Sequence, residues 1–192
     1  MMRNYTYVTT LSTDNYLCGV LMLNLTLRQV KSRYPLFVLC SHNLSQETMA
    51  ILKRNDIQYS LLTEHIQTSN VELSADHAHW QYTFDKLFVW TLTQFDKVVY
   101  LDSDMQIVQN IDDLFDHPHM SAVIADKFAE PGLTKLNSGL MVIEPDIREF
   151  EGMKSLLASG LLPSKNVGDQ DLIRLYYSEW GDGGGANLAF GR

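Results

Sequence analysis

The chain is short of basic residues, of cysteine and of long apolar runs, and each shortage removes a class of function. Lys and Arg number 15 against 23 Asp and Glu, a formal charge of −8, and no block of like charge forms a tail. A nucleic-acid partner, which draws on clustered positive charge, is not expected. An anionic ligand stays open, but an acidic chain must then find positive charge locally, in a metal ion, a helix N-terminus or one placed lysine. The two cysteines, Cys18 and Cys40, sit among apolar neighbours at no spacing of a metal site or disulfide framework. They read as core thiols of a reducing compartment, with a bridge as the alternative. No apolar run approaches the ~20 residues of a membrane span, and the opening "MMRNYTYVTT" lacks the apolar stretch of a signal peptide. The expectation is a soluble, cytoplasmic chain without a transmembrane segment, peripheral membrane contact being left open.

What is present is enough for one core, at 45% hydrophobic residues in 192. Short β-branched and aromatic runs alternate with amphipathic stretches, the pattern of an α/β domain with a largely parallel sheet. Strands are expected at 5–10, 36–40, 57–62, in the run ending at Asp102, at 121–125 and at 138–145. Helices are expected at 15–33 with Thr13 or Asp14 as N-cap, at 45–55 capped by Ser45, at 83–95, at 146–160 ending on Gly160, and at 169–180. Residues 1–180 read as a single domain, and the glycine-rich 181–192 as a loop or disordered tail.

The segment "KVVYLDSDMQIV", 97–108, sets Asp102, Ser103 and Asp104 at the end of a buried strand. In open α/β sheets, ligands bind outside the carboxyl ends of the strands. If the segment stays extended, residues i and i+2 point the same way, and both carboxylates converge on one hard cation while Ser103 faces elsewhere. Such an ion, with its other positions given to phosphates, carries a nucleoside diphosphate and supplies the missing positive charge. A plain Asp-Ser-Asp turn is the competing reading.

The stretch "TFDKLFVWTLTQFDKVVYLDSDMQIVQNIDDLFD", 83–116, resembles the donor-site region of glycosyltransferase family 8, the group of glycogenin, galactinol synthase and related bacterial sugar transferases. The likeness extends to "TLSTDNYLCG" (10–19), "LNSGLMVIEP" (136–145) and "GDQDLI" (168–173), four motifs in the family's order. The resemblance implies a GT-A type nucleotide-diphospho-sugar transferase fold, Rossmann-like, with a mostly parallel sheet and helices on both faces. It implies a retaining transferase that moves a hexose from a UDP-sugar to a hydroxyl acceptor on a glycan, lipid-linked sugar or polysaccharide. Asp102 and Asp104 would hold Mn²⁺ or Mg²⁺, and with Ser103 the donor diphosphate; Leu11, Thr13 and Tyr16 would line the nucleoside pocket. Lys86 would sit near sugar and phosphates, Asn137 and Ser138 would touch sugar hydroxyls or the departing phosphate, and Asp169 and Gln170 would face the reacting carbon. Related proteins are often dimers, so a homodimer is among the partners implied.

Each assignment has a plainer competitor: a solvated helix lysine for Lys86, core packing for Tyr16, a turn at Asn137 and a helix N-cap at Asp169. His77 and His79 read as loop residues rather than ligands, with His77 where the family tends to carry Arg, and Trp80, Trp90, Trp180 and Met141 read as packing or surface residues. The family's downstream histidine ligand and the tyrosine region of self-glucosylation have no counterpart in 1–192, so the domain is expected to be C-terminally incomplete and glycogenin activity proper is not expected. Two other functions stay open. One is nucleotide-sugar binding without turnover. The other is a haloacid-dehalogenase-like phosphatase, whose first Asp would attack phosphorus, although that motif stands near the N-terminus and Asp102 lies mid-chain.

Overall fold

A computed structural model describes residues 3–66, 75–124, 135–162 and 167–180, with 75–81 followed along the backbone only. Six strands form one sheet among these residues: β1 (Tyr5–Leu11), β2 (Leu36–Cys40), β3 (Gln58–Leu61), β4 (Lys97–Leu101), β5 (Ser121–Ile124) and β6 (Leu136–Ile143). Their order is β3-β2-β1-β4-β6-β5. The pairs β3–β2, β2–β1 and β1–β4 are parallel, whereas β6 runs antiparallel to both β4 and β5. The helices are α1 (Leu17–Gln29), α2 (Gln46–Arg54), α3 (Ile147–Ala158) and α4 (Asp169–Tyr176), with 3-10 turns at Asp14–Tyr16 and Asp112–Asp116 and a long 3-10 helix at Ala75–Thr91.

Helices cover both faces, and side-chain parity along the strands shows it. On β4, Val98 and Tyr100 join a core cluster with Phe84, Trp90, Phe150 and Leu172, contributed by the long 3-10 helix, α3 and α4. Val99 and Leu101 point the other way, to Val20, Leu23 and Leu52 of α1 and α2. A period of two on a strand buried on both sides produces this division. Asp102 continues the parity of Tyr100, toward the face of the long 3-10 helix.

Several boundaries differ from the expectation. The first helix is a 3-10 turn followed by α1, and it stops at Gln29 rather than 33. Lys31 takes φ 56° and Ser32 N donates to Leu27 O at 3.1 Å, a Schellman-type closure with lysine in the place glycine usually fills. Thr13 precedes the 3-10 turn without a side-chain capping bond; Asp14 accepts instead from Ser45 N at 3.1 Å. Ser45 caps α2 as expected, accepting from Thr48 N. The helix expected at 83–95 is of 3-10 type and runs from Ala75 to Thr91. After α3, Ser159 is the C-cap and Gly160 follows at φ 75°, the expected stop. α4 ends at Tyr176, four residues early, because Tyr177 leaves the helix to accept a hydrogen bond from Trp90 Nε1 at 3.0 Å. The glycine-rich 181–192 lies outside the described residues.

Cys40 is buried and Cys18 exposed, and both are free. Only Cys40 is a core thiol, and burial pushes its pKa up to about 12. Cys18 lies on the outer face of α1, where apolar neighbours in sequence do not mean apolar neighbours in space.

Candidate active site

A cleft of about 550 Å³ opens at the carboxyl ends of β1 and β4, with the start of β6, the long 3-10 helix and the N-terminus of α4 closing its floor. Lys86 is its centre. The side chain is buried, and its ammonium lies 2.7 Å from Asp169 Oδ2 and 3.1 Å from Asp102 Oδ1. It also donates to Ser138 O at 3.3 Å and Ser138 Oγ at 3.2 Å. Burial alone would lower the lysine's pKa, but the Asp169 and Asp102 carboxylates outweigh it and hold the ammonium above its ordinary range. The plain reading of a solvated helix lysine therefore does not hold.

Three elements converge on that ammonium. Ser138 Oγ donates to Asp169 Oδ2 at 3.0 Å, and Ser138 N donates to Gln170 Oε1 at 3.1 Å, so β6 fastens α4 at its first turn. Asp169 is not the N-cap of α4. Gly168 holds that position, with its N–H donating to Asp171 Oδ2 at 3.1 Å, which leaves Asp169 free to face Lys86.

Asp102 and Asp104 do not lie on an extended segment. β4 ends at Leu101, and Met105 N donates to Asp102 O at 3.2 Å, so 102–105 is a turn. Both carboxylates still border the cleft. Asp102 is partly exposed, with Oδ1 bonded to Tyr100 OH at 3.0 Å; Asp104 is exposed. The turn is pressed from two sides. A Cβ on Gly19 of α1 would lie 2.3 Å from Ser103 O, and one on Gly139 of β6 would lie 2.8 Å from Asp102 Oδ2.

Among the described residues no group of three metal-ligating side chains occurs. Two carboxylates on one turn, one exposed and one held by its other oxygen, fit a hard divalent cation that takes its remaining ligands from phosphates and water.

Thr13, Tyr16, Ser103, Ser138 and Gln170 also border the cleft. Tyr16 is 47% exposed there, so it is not core. Leu11 is fully buried beneath, in the cluster with Val20 and Leu101, and Asn137 turns its Oδ1 to Gly139 N at 2.8 Å, the turn-forming role weighed for it. His77, His79 and Trp80 lie where side chains are outside the described structure. Trp90, Trp180 and Met141 are buried packing residues. Sequence reading missed Tyr100, Thr10, Gly19 and Gly139; the available signal was Tyr100's place two residues before Asp102, on the same strand face.

Residues 7–147 match the pattern of Glycosyl transferase family 8. The chain belongs to that family. Among curated relatives of this family 8 chain are glycogenin-1 of Mus musculus, 30% identical over 188 residues, 93% of this chain and 52% of the relative. UDP-glucuronate:xylan alpha-glucuronosyltransferase 2 of Arabidopsis thaliana is 31% identical over 175 residues, 91% of this chain and 27% of the relative. The chain thus spans about half or less of these two relatives. In fold it is similar to the glycosyltransferase GlyE of Streptococcus pneumoniae TIGR4, with a TM-score of 0.67 at 16% identity over 98% of this chain and 45% of that one. The α/β sheet flanked by helices on both faces is thereby the GT-A glycosyltransferase fold. No helix among the described residues is long and apolar enough to cross a membrane.

Proposed function

We propose that this family 8 chain is a retaining glycosyltransferase that moves a hexose from a UDP-sugar to a hydroxyl acceptor, with Asp102 and Asp104 holding Mn²⁺ or Mg²⁺ against the donor diphosphate. The observation that carries the reading is the buried Lys86 ammonium clamped between Asp102 and Asp169 at the floor of a cleft whose rim bears the family's motifs. The metal, when bound, neutralises charge growing on the departing diphosphate.

The chain's own residues divide the remaining work. Thr13 and Tyr16 at the cleft rim, above the buried Leu11, receive the nucleoside, and Ser103 offers its turn to the phosphates. Lys86, a cation held between Asp102 and Asp169, stabilises the same leaving group. Asp169 and Gln170, locked to Ser138, hold the sugar hydroxyls and steady an oxocarbenium-like carbon, with Asn137 keeping the β6 entry in shape. Retention and a hexose donor rest on the family likeness.

The test is the melting temperature of the chain with UDP, with and without Mn²⁺, beside an Asp102→Ala, Asp104→Ala double variant. A ligand that binds only the folded state raises it, by about 2.7 kcal/mol of stability at a hundredfold excess over Kd. The expected result is a Mn²⁺-dependent rise that the variant loses, and no rise in either protein would refute the donor site. Stabilisation by UDP-sugars without transfer to any hydroxyl acceptor would leave binding without turnover as the function.

A further inference from the structure

Both charged ends of the site rest on Tyr100. It is 1% exposed, and its ring lies under Lys86 Nζ at 4.9 Å to the centroid. Its hydroxyl donates to Asp102 Oδ1 at 3.0 Å and lies 3.1 Å from Thr10 Oγ1 on the adjoining strand β1. A phenol has one O–H to give. That proton goes to Asp102, so Thr10 must be the donor in its bond to the phenol oxygen.

Oδ1 of Asp102 thus accepts from both Tyr100 and Lys86. Oδ2 is different: it faces the bare Cα of Gly139, where a Cβ would stand 2.8 Å away. We infer that Tyr100 is a positioning residue that, relayed from Thr10, turns Asp102 so that Oδ2 is the oxygen offered to the divalent cation. The inference rests on the donor-site reading above. Outer hydrogen bonds of this kind orient metal-binding carboxylates, and losing one typically lowers metal affinity about 10- to 100-fold.

Tyr100→Phe keeps the ring, its packing and the ammonium–ring contact, and removes only the hydroxyl. Mn²⁺ affinity at saturating UDP is read from the electron paramagnetic resonance signal of free Mn²⁺, beside UDP affinity without metal and the melting temperature of the unliganded protein. The expected result is Mn²⁺ binding weakened about 10-fold, metal-free UDP binding unchanged, and a melting temperature within about 3 °C of the parent. A purely structural tyrosine would move the last quantity and not the first. Thr10→Val, which removes the relay but not the phenol–carboxylate bond, is expected to weaken Mn²⁺ in the same direction by less. Unaltered Mn²⁺ affinity in Tyr100→Phe, or in Thr10→Val should the first variant not fold, overturns the positioning role and leaves the donor site standing. Absence of Mn²⁺ and UDP binding by the parent chain overturns both.

Discussion

Lys86 shows how far a single position is from what its neighbours in sequence suggest. It sits between Asp85 and Leu87 in a helical stretch, a pattern that favours a solvated side chain. Its burial arises because Asp102, Ser138 and Asp169, distant in the chain, supply four contacts to one ammonium. Removing one partner of a buried ion pair costs about 3–5 kcal/mol, since the other charge is left buried and unpaired. Lys86→Met is expected to lower stability by the lower part of that range, because Asp102 is partly exposed and keeps some solvation; urea denaturation measures it. The pH dependence follows from the direction of the shift. A cation whose folded pKa exceeds its ordinary 10.5 stabilises fully below that value and loses its contribution only as pH rises through the higher folded value. Stability in the parent should therefore show no Lys86-linked loss through neutral pH, and Lys86→Met should remove the alkaline loss. Asp102, Asp104, Asp169 and Gln170 were legible from the family pattern, whereas Tyr100 was not, because a tyrosine in a buried strand looks the same whether it packs or positions. Only the distances to Asp102 and Lys86 separate the two.

At the level of elements, the sequence marked those stops that glycine makes and missed those that long-range contacts make. Gly160 announces the end of α3 by its left-handed backbone; Lys31 takes the same region after α1 with nothing in its side chain to signal it. α4 is cut short by the bond between Tyr177 and Trp90, 87 residues apart, which no local periodicity contains. The Asp102–Met105 turn is also made by its neighbours, with α1 against one side and β6 against the other. Gly19→Ala tests that packing. The new methyl would stand 2.3 Å from Ser103 O, a backbone atom, so helix and turn must separate. Overpacking of this kind costs about 1–3 kcal/mol, offset by roughly 0.5–1 kcal/mol from the helix preference of alanine over glycine. The expected outcome is a small loss in urea stability with a disproportionate loss of Mn²⁺–UDP affinity by calorimetry. Unchanged affinity would mean that α1 does not set the position of the turn.

For the whole molecule, the strand order puts rigidity where the site needs it. β1, β4 and β6 lie inside the sheet and carry Val8, Val99 and Val142, each fully buried. β3 is an edge whose residues are mostly exposed, and β5 is an edge with a register shift at Ala122/Val123. Thr10, Tyr100 and Ser138 belong to the inner strands, so the cleft is built on the most deeply buried part of the fold, and the Asp102–Met105 turn and α4 are fastened to it through Tyr100 and Ser138. Amides open locally with free energies from near zero up to the global value, lowest where few buried contacts hold them. Hydrogen exchange should accordingly find β4 amides exchanging at least about 100-fold more slowly than those of Gln58–Leu61. Mn²⁺ with UDP should add protection beyond the global gain at 102–107 and 169–172, where the donor would bridge the turn to α4, and none beyond it at β3. Equal rates in β3 and β4 would sink the claim of a rigid floor. Protection spread evenly over the sheet would instead show that the ligand stabilises the fold without drawing the Asp102 turn and α4 together.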